Sequence, residues 1–204
     1  MYGWSVPAQR DFIRTWIRAK GATLDFEGWL DLLNSLYHGQ SVEEKTITGM
    51  LLSRFPAFRR RLAVERLDQL EHWLGQLVGW KEVDSTCQSV FSVDDLNANW
   101  EGWQLLLRRL SADENINKRR AALVLLVLPV RGQEGRFFTL AIELLERLHH
   151  EKDKRISKAV SWLLREAASQ HGEGVREFMS THQASLPAFV IREVTTKLDT
   201  GKKR

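Results

Sequence analysis

Cysteine is nearly missing from this sequence: Cys87 is the only one in 204 residues. That excludes an intramolecular disulfide and a cysteine-built zinc cage, and it fits a reducing compartment. Also missing is any uninterrupted apolar run of about 18 residues, the length a membrane-spanning helix needs. The longest candidate, "AALVLLVLPV" from Ala121, is too short. The opening "MYGWSVPAQRDF" lacks the charged, apolar and small-residue succession of a signal peptide. A cytoplasmic protein is expected, nucleoid-associated if bacterial, with no membrane partner. Charge of one sign is scarce too. The 30 Lys and Arg stand against 26 Asp and Glu, a net +4, so the total alone argues only weakly for a polyanionic partner. No P-loop, GxGxxG, GxSxG elbow or HExxH is present, so nucleotide hydrolysis, dinucleotide redox, serine hydrolysis and zincin chemistry lack their parts. No cofactor is expected.

What is present is helix. The chain is 43% hydrophobic and 27% charged, enough to bury a sizeable core. Three Ser-x-x-acid capping boxes, Ser41 with Glu44, Ser92 with Asp95 and Ser111 with Glu114, each open a run of good helix formers. No Asn-Gly or Asp-Gly hairpin turn occurs. Periodicity predicts helices over 7–20, 25–36, 41–54, 57–78, 82–91, 93–110, 114–128, 134–150, 153–170, 173–181 and 185–198. The expected fold class is all-α. Short helices joined by short polar links predict an α-solenoid of HEAT-like repeats, one domain over 1–200 with a basic tail at 201–204, and a globular bundle is the rival arrangement. "AALVLLVLPV" is apolar on nearly all sides and should be covered by its neighbours.

Some residues do not fit a bland scaffold. In "WKEVDSTCQSVF", Trp80, Val83, Cys87 and Phe91 form one stripe at helical spacing, and Asp84 falls within it. Either Asp84 caps a helix start, leaving "GWKEV" as a separate turn, or it points into a cleft as an ionised carboxylate. In "RISKAVSWLLREAASQ", Ile156, Ala159, Val160, Leu163 and Ala167 face inward. Trp162 lies about 130° from that stripe, among Arg155, Lys158, Arg165 and Glu166. An aromatic ring interleaved with cations suits phosphates, sugars or bases, and packing under a further helix is the alternative. Lys118, Arg119 and Arg120 form a second cationic cluster, and Arg54, Arg59, Arg60, Arg61 and Arg66 a third. Arginine's planar fork can donate two hydrogen bonds to one phosphate, although such runs are commonly solvated helix faces. Adjacent residues diverge by about 100°, so only one of Arg119 and Arg120 can face a given surface. The same divergence argues against a metal at His149, His150 and Glu151.

"YGWSVPAQR" near the start, "WKEVD" at Trp80 to Asp84, "KRRAAL" at Lys118 to Leu123 and "SKAVSWLLRE" at Ser157 to Glu166 resemble, in order and spacing, the motifs of the DNA alkylation repair family, the AlkD-like DNA glycosylases. The resemblance covers nearly the whole chain. It implies a superhelix of HEAT-like repeats with a concave basic groove for duplex DNA. It also implies hydrolysis of the N-glycosidic bond of cationic N3- and N7-alkylated purines, without drawing the base into a pocket. By motif, it implies Asp84, Trp80, Trp162 and Arg120 as the catalytic set. Asp84 would stabilise the oxocarbenium-like sugar and position water, the two tryptophans would line the lesion nucleotide, and Arg120 would hold a phosphate. Arg119, Lys118, Lys158, Arg165 and Arg155 are the expected DNA-binding residues. A monomer on double-stranded DNA bearing alkylated bases follows.

The sequence departs from the family pattern in places. Lys81 stands where an acidic or small polar residue is frequent, Ile116 and Asn117 where an aromatic often precedes the arginine, and Ser161 where glycine is usual. The N-terminal helical sequence of many members looks shortened. Two other readings remain: a non-catalytic HEAT-like scaffold gripping nucleic-acid backbone, and a protein-protein adaptor whose tryptophans are anchors.

Overall fold

The computed structural model describes residues 3–88 and 90–202. Among them lie thirteen α-helices, two single 3-10 turns and no strand, which bears out the all-α expectation. The contacts gather into two compact units, one ending at Trp100 and one beginning at Glu101. Of the expected basic tail, Lys203 and Arg204 lie outside the described residues, as do Tyr2 of the first motif and Ser89.

The first unit contains α1 (Val6–Lys20), α2 (Phe26–Tyr37), α3 (Val42–Arg54), α4 (Pro56–Glu65), α5 (Leu67–Gly75), α6 (Trp80–Cys87) and α7 (Val93–Asn97). Its central element is α3, which packs against α1, α2, α4 and α6. Local chemistry sets several starts. The Asp25 carboxylate accepts from Gly28 N–H at 2.8 Å, and Ser41 and Glu44 close a capping box, as do Ser92 and Asp95. Trp29, Leu33, Tyr37, Leu52, Leu62, Leu70, Trp73 and Leu96 are sealed in the core. Two of their polar atoms are satisfied: Trp73 Nε1 donates to Asn34 Oδ1 at 2.6 Å, and the Tyr37 hydroxyl meets Thr86 Oγ1 at 3.1 Å, while Trp29 Nε1 meets no acceptor among the described residues.

Two expected helices are each split. The span 57–78 breaks at Arg66, whose φ of −142° and ψ of 40° leave the helical region. The span 93–110 breaks at Ala98 and Asn99 because the Asn99 amide donates to the carbonyls of Ala63 and Val64, each at 3.2 Å. That long-range bond satisfies the end of α4, and a purely local pattern cannot announce it.

The second unit contains α8 (Trp100–Ala112, all but its first residue), α9 (Ile116–Val124), α10 (Gly135–Leu148), α11 (Lys154–Ala167), α12 (Gly172–Thr181) and α13 (Ala188–Thr200). Here α11 is central, touching α9, α10, α12 and α13. The third expected capping box is not formed. Ser111 lies inside α8 and donates to Arg108 O at 2.8 Å, while Asn115 caps α9 by accepting from Asn117 N–H at 2.9 Å. Ala121 through Val127 are all buried, as the apolar sequence requires. The helix ends earlier than expected, at Val124, and the chain tightens through Leu126 N–H to Leu123 O and Val127 N–H to Val124 O before Pro129.

Candidate functional site

Site residues fall in both units. In the first, α6 begins at Trp80 with Gly79 at its N-cap, and the carboxylate that caps it is Glu82, accepting from Val78 N–H at 2.6 Å and Gly79 N–H at 3.3 Å. Asp84 is therefore not a cap. It lies in the second turn, where its own carbonyl accepts from Gln88 N–H at 2.8 Å, and "GWKEV" is no separate turn. The apolar stripe holds in part. Val83, Cys87 and Phe91 are buried, Phe91 lying beyond the end of the helix, Thr86 and the capping Glu82 are buried beside them, and Trp80 is 52% exposed. Thr86 takes an inward place because it partners the buried Tyr37 hydroxyl, whose pKa burial drives well up. Asp84, one turn after Trp80, sits half-buried at the flank of the stripe, and the Lys81 ammonium stands 5.7 Å from the Trp80 ring.

What holds this face in place is a close approach of two backbones. A Cβ on Gly49 of α3 would lie 2.2 Å from Ser85 O and 2.5 Å from Ser85 C, so only glycine fits. Ser85 Oγ donates to Thr46 O at 2.8 Å across the same contact. The helix that carries Trp80 and Asp84 is thus seated on α3 through main chain, with little freedom to rotate.

In the second unit most of the cations named from the sequence are built into ion pairs. The Arg119 guanidinium donates to Glu151 Oε1 at 2.8 Å and Oε2 at 3.1 Å, and also to the carbonyls of Asp113 and Glu114. Lys118 Nζ lies 2.8 Å from Asp113. Arg120 is 5% exposed and donates from Nη1 to the carbonyl of Arg155, bridging α9 to the first turn of α11. Asp153 caps α11 by accepting from Arg155 N–H at 2.7 Å, and the Arg155 side chain pairs with it at 3.0 Å. These contacts hold the Asp153 carboxyl below the usual range.

Further along α11, Arg155, Lys158, Trp162, Arg165 and Glu166 share one side, as the 100° count expects. Trp162 is half-buried and its Nε1 donates to Glu166 at 3.2 Å, while Lys158 is exposed. Glu166 also meets Arg131 at 2.9 Å. Ser161 is fully buried; its hydroxyl donates to Glu193 of α13 at 2.6 Å, and Arg165 Nε lies 3.6 Å from the same carboxylate. The hydroxyl at this departure from the family pattern therefore ties two helices together.

Arg59, one of the third cluster, is an anchor within the first unit: its Nε donates to Asp95 at 2.9 Å, both side chains being largely buried. Arg61 stacks 4.2 Å over the Phe26 ring and pairs with Glu65. Sequence reasoning missed the distant partners, because Glu151, Glu193 and Asp95 lie 28 to 36 residues from the cations they meet.

The model of the family described as DNA alkylation repair enzyme matches residues 1–198, and the chain belongs to that family. Among solved structures, it is similar to a protein from Enterococcus faecalis described as a predicted DNA alkylation repair enzyme. That likeness has 18% identity and a TM-score of 0.79, over 97% of this chain and 88% of the other. At that identity it is a likeness of fold. No curated protein matches the chain. Among the described residues, no helix is long and apolar enough to cross a membrane.

Proposed function

We propose that this chain is a monofunctional DNA glycosylase that hydrolyses the N-glycosidic bond of N3- and N7-alkylated purines in duplex DNA. The observation that carries the reading is Asp84: half-buried, one turn from an exposed tryptophan, on a helix fixed by backbone contact and capped by a different carboxylate. As the bond between C1′ and the purine nitrogen lengthens, positive charge moves onto the sugar, and a fixed carboxylate at the flank of an apolar stripe stabilises it. Water adds to C1′ and loses a proton, and the cationic base leaves neutral with the bonding electron pair. No general acid is required, since the base already carries the positive charge.

In this reading the helices form a HEAT-like superhelix whose concave basic groove holds the duplex. Trp80 and Trp162 line the lesion nucleotide. Arg120 holds a neighbouring phosphate, with Lys118, Arg119, Arg155, Lys158 and Arg165 along the backbone. The protein acts in the cytoplasm as a monomer, without cofactor. Charge supports the placement: residues from 101 onward carry nineteen Lys and Arg against thirteen Asp and Glu, the first hundred eleven against thirteen.

A second reading, a backbone-gripping scaffold without catalysis, draws on the fact that most of these cations are fixed by carboxylates of the same chain. Release of free base from duplex DNA carrying N7-methylguanine or N3-methyladenine, under single-turnover conditions, separates the two. The expected result is release by the wild type and a loss of about 10²-fold or more in Asp84→Asn, with DNA binding retained. Equal rates would reject the carboxylate mechanism, and salt-sensitive binding with no release by either protein would favour the scaffold.

A further inference from the structure

The last turn of α10 and the end of α12 bring together three side chains that the glycosylase reading does not use. Glu146 and His149 are three residues apart, so they leave the helix on one side, and His149 is the C-cap of α10. His182 is the C-cap of α12, and its Nε2 lies 2.8 Å from Glu146 Oε1. The two imidazoles stand 4.1 Å apart, ring centre to ring centre, with the largely buried Phe178 ring 4.5 Å from His182 and 6.0 Å from His149. Each of the three residues offers one ligand atom, and these atoms lie within 4.8 Å of one another. The trio lies within the second unit, so its geometry depends on that unit alone.

Proton counting fixes one ring. The Ser185 hydroxyl donates its single proton to His182 O at 3.0 Å, so its contact with His149 Nδ1 at 3.1 Å has the imidazole N–H as donor. In the neutral ring, His149 then keeps Nε2 as an unprotonated lone pair. A ligating histidine commonly has its other nitrogen held in this way. Glu151, the carboxylate next to the histidine pair in sequence, is turned to Arg119, so the site is not the one the sequence brings to mind.

We propose that Glu146, His149 and His182 bind one divalent transition-metal ion of the zinc class, with a water completing the coordination. Two imidazoles and one carboxylate with an open fourth position form a set that zinc accepts tetrahedrally, at about 2.0–2.2 Å. Such bonds place donors roughly 3.4 Å apart, which small side-chain rotations reach from the present spacing. The side chain of Glu146 is 50% exposed, leaving a way in for the ion and its water. The ion takes the place of the hydrogen bond between Glu146 and His182 and joins the ends of α10 and α12.

The test is calorimetric titration of chelator-treated full-length protein with Zn²⁺, beside thermal melts and visible spectra with Co²⁺. One ion per chain, a raised melting temperature, and affinity lowered at least tenfold in both Glu146→Gln and His182→Gln are expected. His72→Gln serves as the control, because His38 and His72 form another close histidine pair with rings 5.5 Å apart. No binding by the wild type, unchanged affinity in the site variants, or loss in His72→Gln would overturn the proposal. Should a variant fail to fold, the wild-type Co²⁺ spectrum decides: nitrogen and oxygen ligation gives d–d bands without thiolate charge transfer, and a thiolate band would move the ion to Cys87.

Discussion

In the first unit α3 meets α6 main chain to main chain, at Gly49 and Ser85. In the second, α11 receives its neighbours through side chains: the Arg120 guanidinium from α9 on the Arg155 carbonyl, and Glu193 from α13 on the Ser161 hydroxyl. The first kind of contact is steric and tolerates no added atom. The second is polar, and a solvent molecule or a phosphate oxygen can take the place of one partner. A carboxylate that must face developing charge at a fixed position gains from the first arrangement. Cations that must grip a backbone whose shape varies are better served by the second.

The largest effect expected from breaking the contrast is at Gly49. Gly49→Ala places a methyl group against the Ser85 carbonyl and should cost about 3 kcal/mol on urea unfolding, with Gly49→Val costing more. A Gly49→Ala protein as stable as the wild type would show that α6 is free to move away, and the steric account of Asp84 would fall with it.

Gly49 also marks the limit of what could be read in advance. Local signals were legible: the Ser41 and Ser92 capping boxes form, Trp162 falls on the polar side of its helix, and the apolar run from Ala121 is buried. Signals that depend on a distant partner were not. Ser111 has the spacing of a cap, but Asn115 does the capping. Thr86 is polar by composition yet buried, because Tyr37 awaits it forty-nine residues earlier. The stripe drawn through Trp80, Val83, Cys87 and Phe91 holds at the last three and misses Thr86 for the same reason. A helical wheel ranks residues by apolarity and cannot see a threonine whose hydroxyl is satisfied inside. That Asp84 is not a cap could be read only once Glu82 was seen holding the helix start.

A smaller effect is expected at Arg120. Arg120→Ala removes a buried charged donor from the Arg155 carbonyl and should lower stability by about 2 kcal/mol. DNA affinity should fall as well, measured on an undamaged duplex at fixed salt. Stability lost with affinity unchanged would confine Arg120 to the scaffold of the second unit and pass the phosphate contact to its neighbours.

The mildest change sharpens the contrast instead of breaking it. Glu151 holds Arg119 through two hydrogen bonds, and both side chains are about four-fifths covered. A phosphate binding Arg119 must either share the guanidinium with that carboxylate or displace it, and like charge between phosphate and Glu151 opposes sharing. Glu151→Gln removes the repulsion while keeping an acceptor for the arginine, so the fold should be retained. Affinity for duplex DNA should then rise several-fold at low salt, and the slope of log affinity against log salt should steepen by about 0.9, one further phosphate neutralised. An unchanged slope would mean that Arg119 stays turned to the carbonyls of Asp113 and Glu114 even without the carboxylate. The grip on the backbone would then fall to exposed cations such as Lys158, and the paired arginines of the second unit would be as purely architectural as Gly49 is in the first.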